Sequence, residues 1–199
     1  MVTLEELADR KKIAPAVLAR CGVLQREQGL EFEYRDASGA PARSRMRTAL
    51  RGADGSSWPP HDERPVREYA NTLALLPPAS EAWVVEGESD CWILYSHGMA
   101  GIGVPGADCI DCLDGSRLAR FERLYLVVEN VDEGNCPTFP EGASGFVQRV
   151  ARRLKATGYP GRLLACRPPA GCQDISDVHT RATDFSRTLS EMKSHATPL

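Results

Sequence analysis

No stretch of this 199-residue sequence is apolar over the length of a membrane span, and its start, Met1-Val2-Thr3-Leu4-Glu5-Glu6, lacks the basic and apolar regions of a secretory signal. The expectation is a cytoplasmic protein with no membrane partner. No Gly-x-x-x-x-Gly-Lys-Ser/Thr occurs, so the chain is not by itself a nucleotide-driven motor. The 7 cysteines are odd in number and irregularly spaced, which fits reduced thiols better than a disulfide framework. Cys109 and Cys112 form a lone Cys-x-x-Cys without a second pair at zinc-finger spacing; two thiolates for zinc and a purely structural role both stay open. A strong overall charge is missing too. With 26% charged residues and a net charge of -3, bulk composition does not announce a nucleic-acid binder, and local distribution has to decide.

What is present is enough chain for one good core, or for a compact domain with a smaller attachment. Thr3 and Glu6 have capping-box spacing, and Leu4, Leu7, Ile13, Val17 and Leu18 supply the apolar positions of two short helices broken near Ala14-Pro15, with Gly22 as a stop. From Leu30 the period changes to two, with Phe32 and Tyr34 on one side and Glu31, Glu33 and Arg35 on the other. Asp36 to Gly39 is then a turn and Pro41 to Leu50 a return strand. Arg43, Arg45 and Arg47 on that strand are spaced by two, which projects three guanidinium groups from one face. Such a row either follows a phosphate backbone or decorates an exposed sheet. Trp58, in a loop rich in Gly, Ser and Pro, is a plug over neighbouring core or a base-stacking platform. Val66 to Leu76 reads as a helix closed by Pro77-Pro78, the clearest boundary in the chain. The expected organisation is therefore an α+β unit over 1–78, an α/β domain over 79–180 and a peripheral helical tail over 181–199.

The α/β part is organised around Trp83-Val84-Val85-Glu86-Gly87-Glu88-Ser89-Asp90. The apolar run does not alternate, which suits a strand buried on both faces in a parallel sheet. Glu86 then stands at the strand's carboxyl end, where open α/β sheets place their ligands. Gly87 permits a sharp turn, and the acidic residues up to Asp90 start a helix where its dipole favours them. Two carboxylates so placed suit magnesium, which takes hard oxygen ligands. Gly101 to Val104 is a second strand running into a glycine-rich turn at Gly106. Leu124 to Val128 is the most strand-like segment, and it ends in Glu129-Asn130-Val131-Asp132-Glu133-Gly134, so a second buried strand ends in carboxylates. Glu141 to Thr157 is an amphipathic helix with Phe146, Val147, Val150 and Leu154 on its apolar face. Gly161 to Cys166 is a further strand, followed by Gln173-Asp174-Ile175-Ser176-Asp177, where Asp174 and Asp177 cap a helix or lie near the metal.

Glu86-Gly87-Glu88-Ser89-Asp90, together with the second acidic cluster, resembles the two motifs of the Toprim domain. Gln173 to Val178 is similar to the Lys-Asp-x-x-Asp-Leu segment that closes this region in phage and plasmid primases and primase-helicases, with Gln173 where a lysine is common. The resemblance covers roughly 3–179, without the amino-terminal zinc module of bacterial primases. It implies a Toprim-type, mostly parallel sheet flanked by helices and preceded by a small α+β subdomain. It also implies a mobile-element DNA primase that makes RNA primers on single-stranded DNA from ribonucleoside triphosphates, with a replicative helicase as a possible partner. The catalytic residues implied are Glu86 and Asp132 around magnesium or manganese, assisted by Asp90 or Glu129, with Gly87, Gly106, Asp174 and Asp177 accessory and Arg43, Arg45 and Arg47 on phosphates. The sequence departs from the usual Asp-x-Asp in placing Asn130 on the first aspartate. An amide offers metal only a neutral oxygen, so a two-metal, a one-metal and a degenerate site stay open. Glu129 replaces the missing carboxylate only if its strand has already ended, because neighbouring strand positions face opposite ways. The alternatives are a Toprim nuclease, or a decayed nucleic-acid or partner-binding module.

Overall fold

The computed structural model describes residues 1–50, 55–130 and 143–199. The capping box forms at the start of α1 (Leu4–Lys11): Thr3 Oγ1 accepts from the Glu6 amide at 3.1 Å, and the Glu6 carboxylate accepts from the Thr3 amide at 2.8 Å. Lys12, in the left-handed region at φ 53°, ends α1, and Pro15 opens α2 (Pro15–Arg20) at a position where its missing amide costs nothing. Among the described residues, β1 (Val23–Arg26), β2 (Gly29–Arg35), β3 (Pro41–Arg47) and β4 (Ser56–Ser57) then form an antiparallel sheet in that order. The sequence pattern did not reveal β1. On β2 the two-residue period holds, with Leu30, Phe32 and Tyr34 buried and Glu33 and Arg35 exposed.

The helix expected over Val66 to Leu76 does not form. Tyr69 instead bridges antiparallel to Gly103, its amide and carbonyl each making a 2.8 Å hydrogen bond, and only Asn71–Leu75 turns, as a 3-10 helix. Apolar spacing here matched a helix, but the segment covers a sheet edge whose amides and carbonyls otherwise lack partners. Asn71 then fastens this segment to the amino-terminal sheet. Its Nδ2 donates to the carbonyls of Cys21 at 2.9 Å and Glu33 at 2.8 Å, and its Oδ1 accepts from the Arg35 amide at 2.6 Å.

The second sheet has the order β6-β5-β7-β8-β9, from β5 (Glu81–Glu86), β6 (Gly101–Val104), β7 (Arg123–Val127), β8 (Arg162–Cys166) and β9 (Thr197–Pro198). Its first four strands are parallel and β9 is antiparallel. Alternate residues of β5 enter different cores. Trp83 and Val85 pack with α3 (Ser89–Ser96) and α5 (Ile175–Arg181), whereas Ala82 and Val84 pack with Phe146, Val147, Val150 and Leu154 of α4 (Ala143–Ala156). Both faces are covered, which is why the run carries no alternation. Leu7, Leu18, Phe32 and Tyr34 belong to the same core as Trp92 and Ile93, and the rings of Phe32 and Trp92 meet edge-on at 5.2 Å. The amino-terminal elements are thus built onto α3.

The carboxyl-terminal tail is not peripheral. Helix α6 (Phe185–Ser194) buries Phe185, Leu189 and Met192, and Lys193 Nζ bonds Glu81 at 2.6 Å beside the rings of Trp83 and Tyr125. After α6, β9 closes the edge of β8. The polar look of the tail comes from its outward face; its moment at helical period shows only once the helix limits are known.

Candidate metal centre

Strand β5 is followed by β6 on one side and, later in the chain, by β7 on the other. Such a reversal opens a crevice at the carboxyl ends of the two diverging strands, the usual ligand position in α/β sheets. Glu86 ends β5 at this point. Gly87 (φ 84°) makes the turn that an L side chain resists, and its carbonyl would lie 2.5 Å from a Cβ added to Gly103, so turn and sheet approach as only two glycines permit. Glu86 accepts a hydrogen bond from the Ala107 amide just after Gly106; burial nevertheless raises its pKa.

Asp90 on α3, Glu129 after β7 and Asp174 before α5 bring one carboxylate oxygen each to within 4.8 Å of one another. Asp90 is buried, the other two half-buried. Burial pushes the Glu129 carboxyl up to about 8, with the charges of Glu86, Asp90 and Asp174 adding to it. Burial and then the charge of Asp174 push Asp90 up to about 7. Three crowded carboxylates offering hard oxygen donors, with Asp90 and Glu129 raised by burial, fit a divalent cation such as magnesium or manganese. Among the described residues this is the one group of three close ligating side chains, and neither Cys109 nor Cys112 is in it. Burial pushes the Cys112 thiol up to about 12, away from the thiolate that zinc requires.

Strand β7 ends at Val127, so the condition for Glu129 to enter the site is met. Asn130 turns instead to the 168–172 loop, where its Nδ2 donates to the carbonyls of Pro168 at 3.0 Å and Cys172 at 2.9 Å. Its side-chain amide thus holds that loop under β7. Asp132 lies outside the described residues. Asp174 belongs to this cluster of carboxylates and also caps α5, its Oδ1 accepting from the Asp177 amide at 2.7 Å. Asp177 accepts from the Gln173 amide at 3.0 Å, closing the same turn, and stays outside the triad.

The arginine row is broken. On β3, Arg45 pairs with Phe32 but Ala42 pairs with Tyr34, so Arg43 and Ser44 together stand opposite Glu33 as a bulge. Arg43 leaves the row and donates through Nη2 to the Pro59 carbonyl at 2.8 Å. Arg45 reaches across to the β5–α3 turn, where its Nη1 bonds the buried Glu88 carboxylate at 3.1 Å and the Pro105 carbonyl at 3.2 Å. Tyr34 also donates its hydroxyl to Glu88. Arg47 donates to the carbonyls of Ala49 and Leu50 at 2.9 Å each. All three arginines are half-buried, neither a freely exposed decoration nor an aligned phosphate row. Trp58 packs edge-on against Tyr34 at 5.5 Å with the Arg45 guanidinium over its ring, as the plug reading expects. The Glu88–Arg45 pairing was not legible in the sequence, although Glu88 lies inside the first acidic motif.

Parallel sheet, switch-point carboxylates and docked amino-terminal sheet together define a primase-like Toprim fold. The chain aligns with the DnaG catalytic core at TM-score 0.64 and 13% identity, over 98% of this chain and 73% of that one. It aligns with the Escherichia coli primase catalytic core at TM-score 0.59 and 15% identity, over 98% of this chain and 65% of that one. A DnaG primase catalytic domain bound to ssDNA matches at TM-score 0.59 and 13% identity, over 98% of this chain and 63% of that one. The chain thus spans just under two thirds of the latter two structures. No family model and no curated protein matches the sequence.

Proposed function

We propose that this protein is a DNA primase-type nucleotidyltransferase that joins ribonucleoside triphosphates into RNA primers on a single-stranded DNA template. The observation that carries this reading is the clustering of Asp90, Glu129 and Asp174 at the carboxyl ends of the parallel strands, next to the β5–α3 turn that Arg45 reaches. Its setting is the cytoplasmic replication of a phage or plasmid, with a replicative helicase as partner. Asp90, Glu129 and Asp174, with Glu86 beside them and Asp132 on the segment after β7, would hold magnesium or manganese. The ion neutralises triphosphate charge and activates a 3′ hydroxyl when bound. Glu88 holds Arg45 on the β5–α3 turn beside these carboxylates through an ion pair at 3.1 Å, where the guanidinium would meet a phosphate.

Manganese titration by calorimetry, followed by primer synthesis on single-stranded DNA, tests this reading. Saturable binding and RNA product are expected; neither, even with nucleotide present, removes it. DNA cleavage by the same metal-bound protein would make it a nuclease, and salt-sensitive DNA binding without metal would make it a binding module.

Replacing Arg45 and Arg47 together by alanine should weaken single-stranded DNA binding and reduce the slope of log K against log salt by about 1.4, at about 0.7 for each phosphate that the protein ceases to neutralise. Fluorescence anisotropy between low and moderate salt reads this slope. An unchanged slope returns both residues to structural duty.

A further inference from the structure

The triad is reached from the other end of the chain by a line of polar contacts. Asp90 Oδ1 accepts two hydrogen bonds from Ser176, one from its amide at 3.0 Å and one from its Oγ at 2.6 Å. Lys11 Nζ, at the end of α1, lies 3.2 Å from the same Oγ. Chemistry dictates the direction of these bonds. An ammonium has donors only and a hydroxyl has one proton, so Ser176 Oγ accepts from Lys11 and gives its own proton to Asp90. The hydroxyl rotor is thereby set, and Asp90 Oδ1 is occupied by two donors inside a buried site.

We propose that Ser176 and Lys11 are positioning residues for the metal centre: they occupy one oxygen of Asp90, leave the other to face the cation, and make α1 part of the site. This rests on the metal-binding reading above. Helix α1 and α5 are separated by most of the sequence, and the lysine is the point where the amino-terminal unit touches the acidic cluster. Gln173, adjacent to Asp174, brings a neutral amide to Glu129, whereas Lys11 brings a positive charge to the side of Asp90. Because the Lys11–Ser176 contact joins α1 to the group that holds Asp90, the docking of α1 and the position of Asp90 favour each other.

Manganese affinity is measured by calorimetry in the full chain for Ser176→Ala, Ser176→Thr, Lys11→Met and Lys11→Arg. Removal of a group that orients a ligand weakens metal binding by about 10- to 100-fold, which is the loss expected for Ser176→Ala and, at its lower end, for Lys11→Met. The threonine and arginine variants keep a hydroxyl and a cation and should retain most of the affinity; a merely structural loss of packing would not follow that pattern. In parallel, the side-chain carboxyl carbon of Asp90, assigned through Asp90→Asn, is followed by NMR in metal-free protein. It should move in Ser176→Ala and Lys11→Met and stay in the conservative variants. Undiminished manganese affinity in both Ser176→Ala and Lys11→Met overturns the proposal and leaves the metal site standing. Absence of manganese binding in the wild type with a displaced Asp90 resonance in the variants removes the metal site but leaves the positioning contact. Absence of both effects removes both.

Discussion

Glu129→Gln is expected to abolish metal-dependent primer synthesis, by at least about 100-fold, the scale on which a group stabilising transition-state charge acts, while the fold stays intact. Burial and three neighbouring carboxylates hold the Glu129 proton to about 8, and Asp90 follows at about 7. Both values lie above those of an unfolded chain, near 4. The stability that these two protons contribute is complete below about pH 4 and is lost as pH rises through 7 to 8. Metal-free wild type should therefore lose stability over that interval, and saturating manganese should restore it because a cation replaces the protons. Affinity for manganese should accordingly rise steeply between about pH 6 and pH 8 and then level off. Glutamine removes a charge and keeps the shape, so metal-free Glu129→Gln at pH 8 should melt about 2–4 °C higher than wild type, about 1 kcal/mol. Melting curves at pH 6 and pH 8, with and without manganese, read all of this. A wild type whose melting temperature ignores both pH and manganese would show that these carboxylates do not form a cation site. Glu86→Gln should also lose synthesis but with a smaller effect on the pH dependence, since Glu86 stands outside the triad.

The second large effect lies away from the crevice. Arg117, beside β7, bonds the fully buried Glu68 through Nε at 2.9 Å and Nη2 at 2.8 Å, Asp114 through Nη1 at 3.1 Å and the Cys112 carbonyl at 2.9 Å, with Asp36 at 3.8 Å. One guanidinium thus serves carboxylates from the hairpin turn, the bridging segment and the turn before β7. Arg117→Met fills similar space but leaves Glu68 buried without its cation, an arrangement that costs about 3–5 kcal/mol. Against a typical total of about 5–15 kcal/mol this is a large fraction, and it should lower the melting temperature by about 6–20 °C. Glu68→Gln combined with Arg117→Met should recover part of the loss, because the orphaned charge is gone. Urea denaturation of the wild type and the two variants measures it. A single-variant loss below about 0.5 kcal/mol, the level of an ordinary surface change, would show that Glu68 finds another partner or takes up a proton.

Local chemistry in the sequence determined a good deal of this protein. The Thr3 capping box, the period of β2, the non-alternating β5, the turn at Gly87 and the apolar face of α4 all depend on neighbours within a few positions, and all are in the structure as read. The place of Glu86 at the end of β5 was legible because a doubly buried apolar run ends where a carboxylate, costly to desolvate, begins. Where the reading missed, a distant partner decided. Tyr69 is drawn to Gly103 and leaves only a 3-10 turn of the helix expected over Val66 to Leu76, and the tail is drawn inward by β8 and Glu81. The Arg43, Arg45 and Arg47 row is split by a bulge that period-two spacing cannot disclose. Glu129 enters the site and Asn130 leaves it because β7 stops at Val127. Lys11, Ser176 and the Glu88–Arg45 pair had no sequence signal, since each needs a partner far along the chain. Period, turn and cap are set by sterics and hydrogen bonds between near neighbours, so sequence alone determined most of the elements and the strand ends at which the acidic residues lie. Which carboxylates meet, and which cations reach them, depends on desolvation and charge summed over segments brought together only by packing, and the tertiary structure alone decided that.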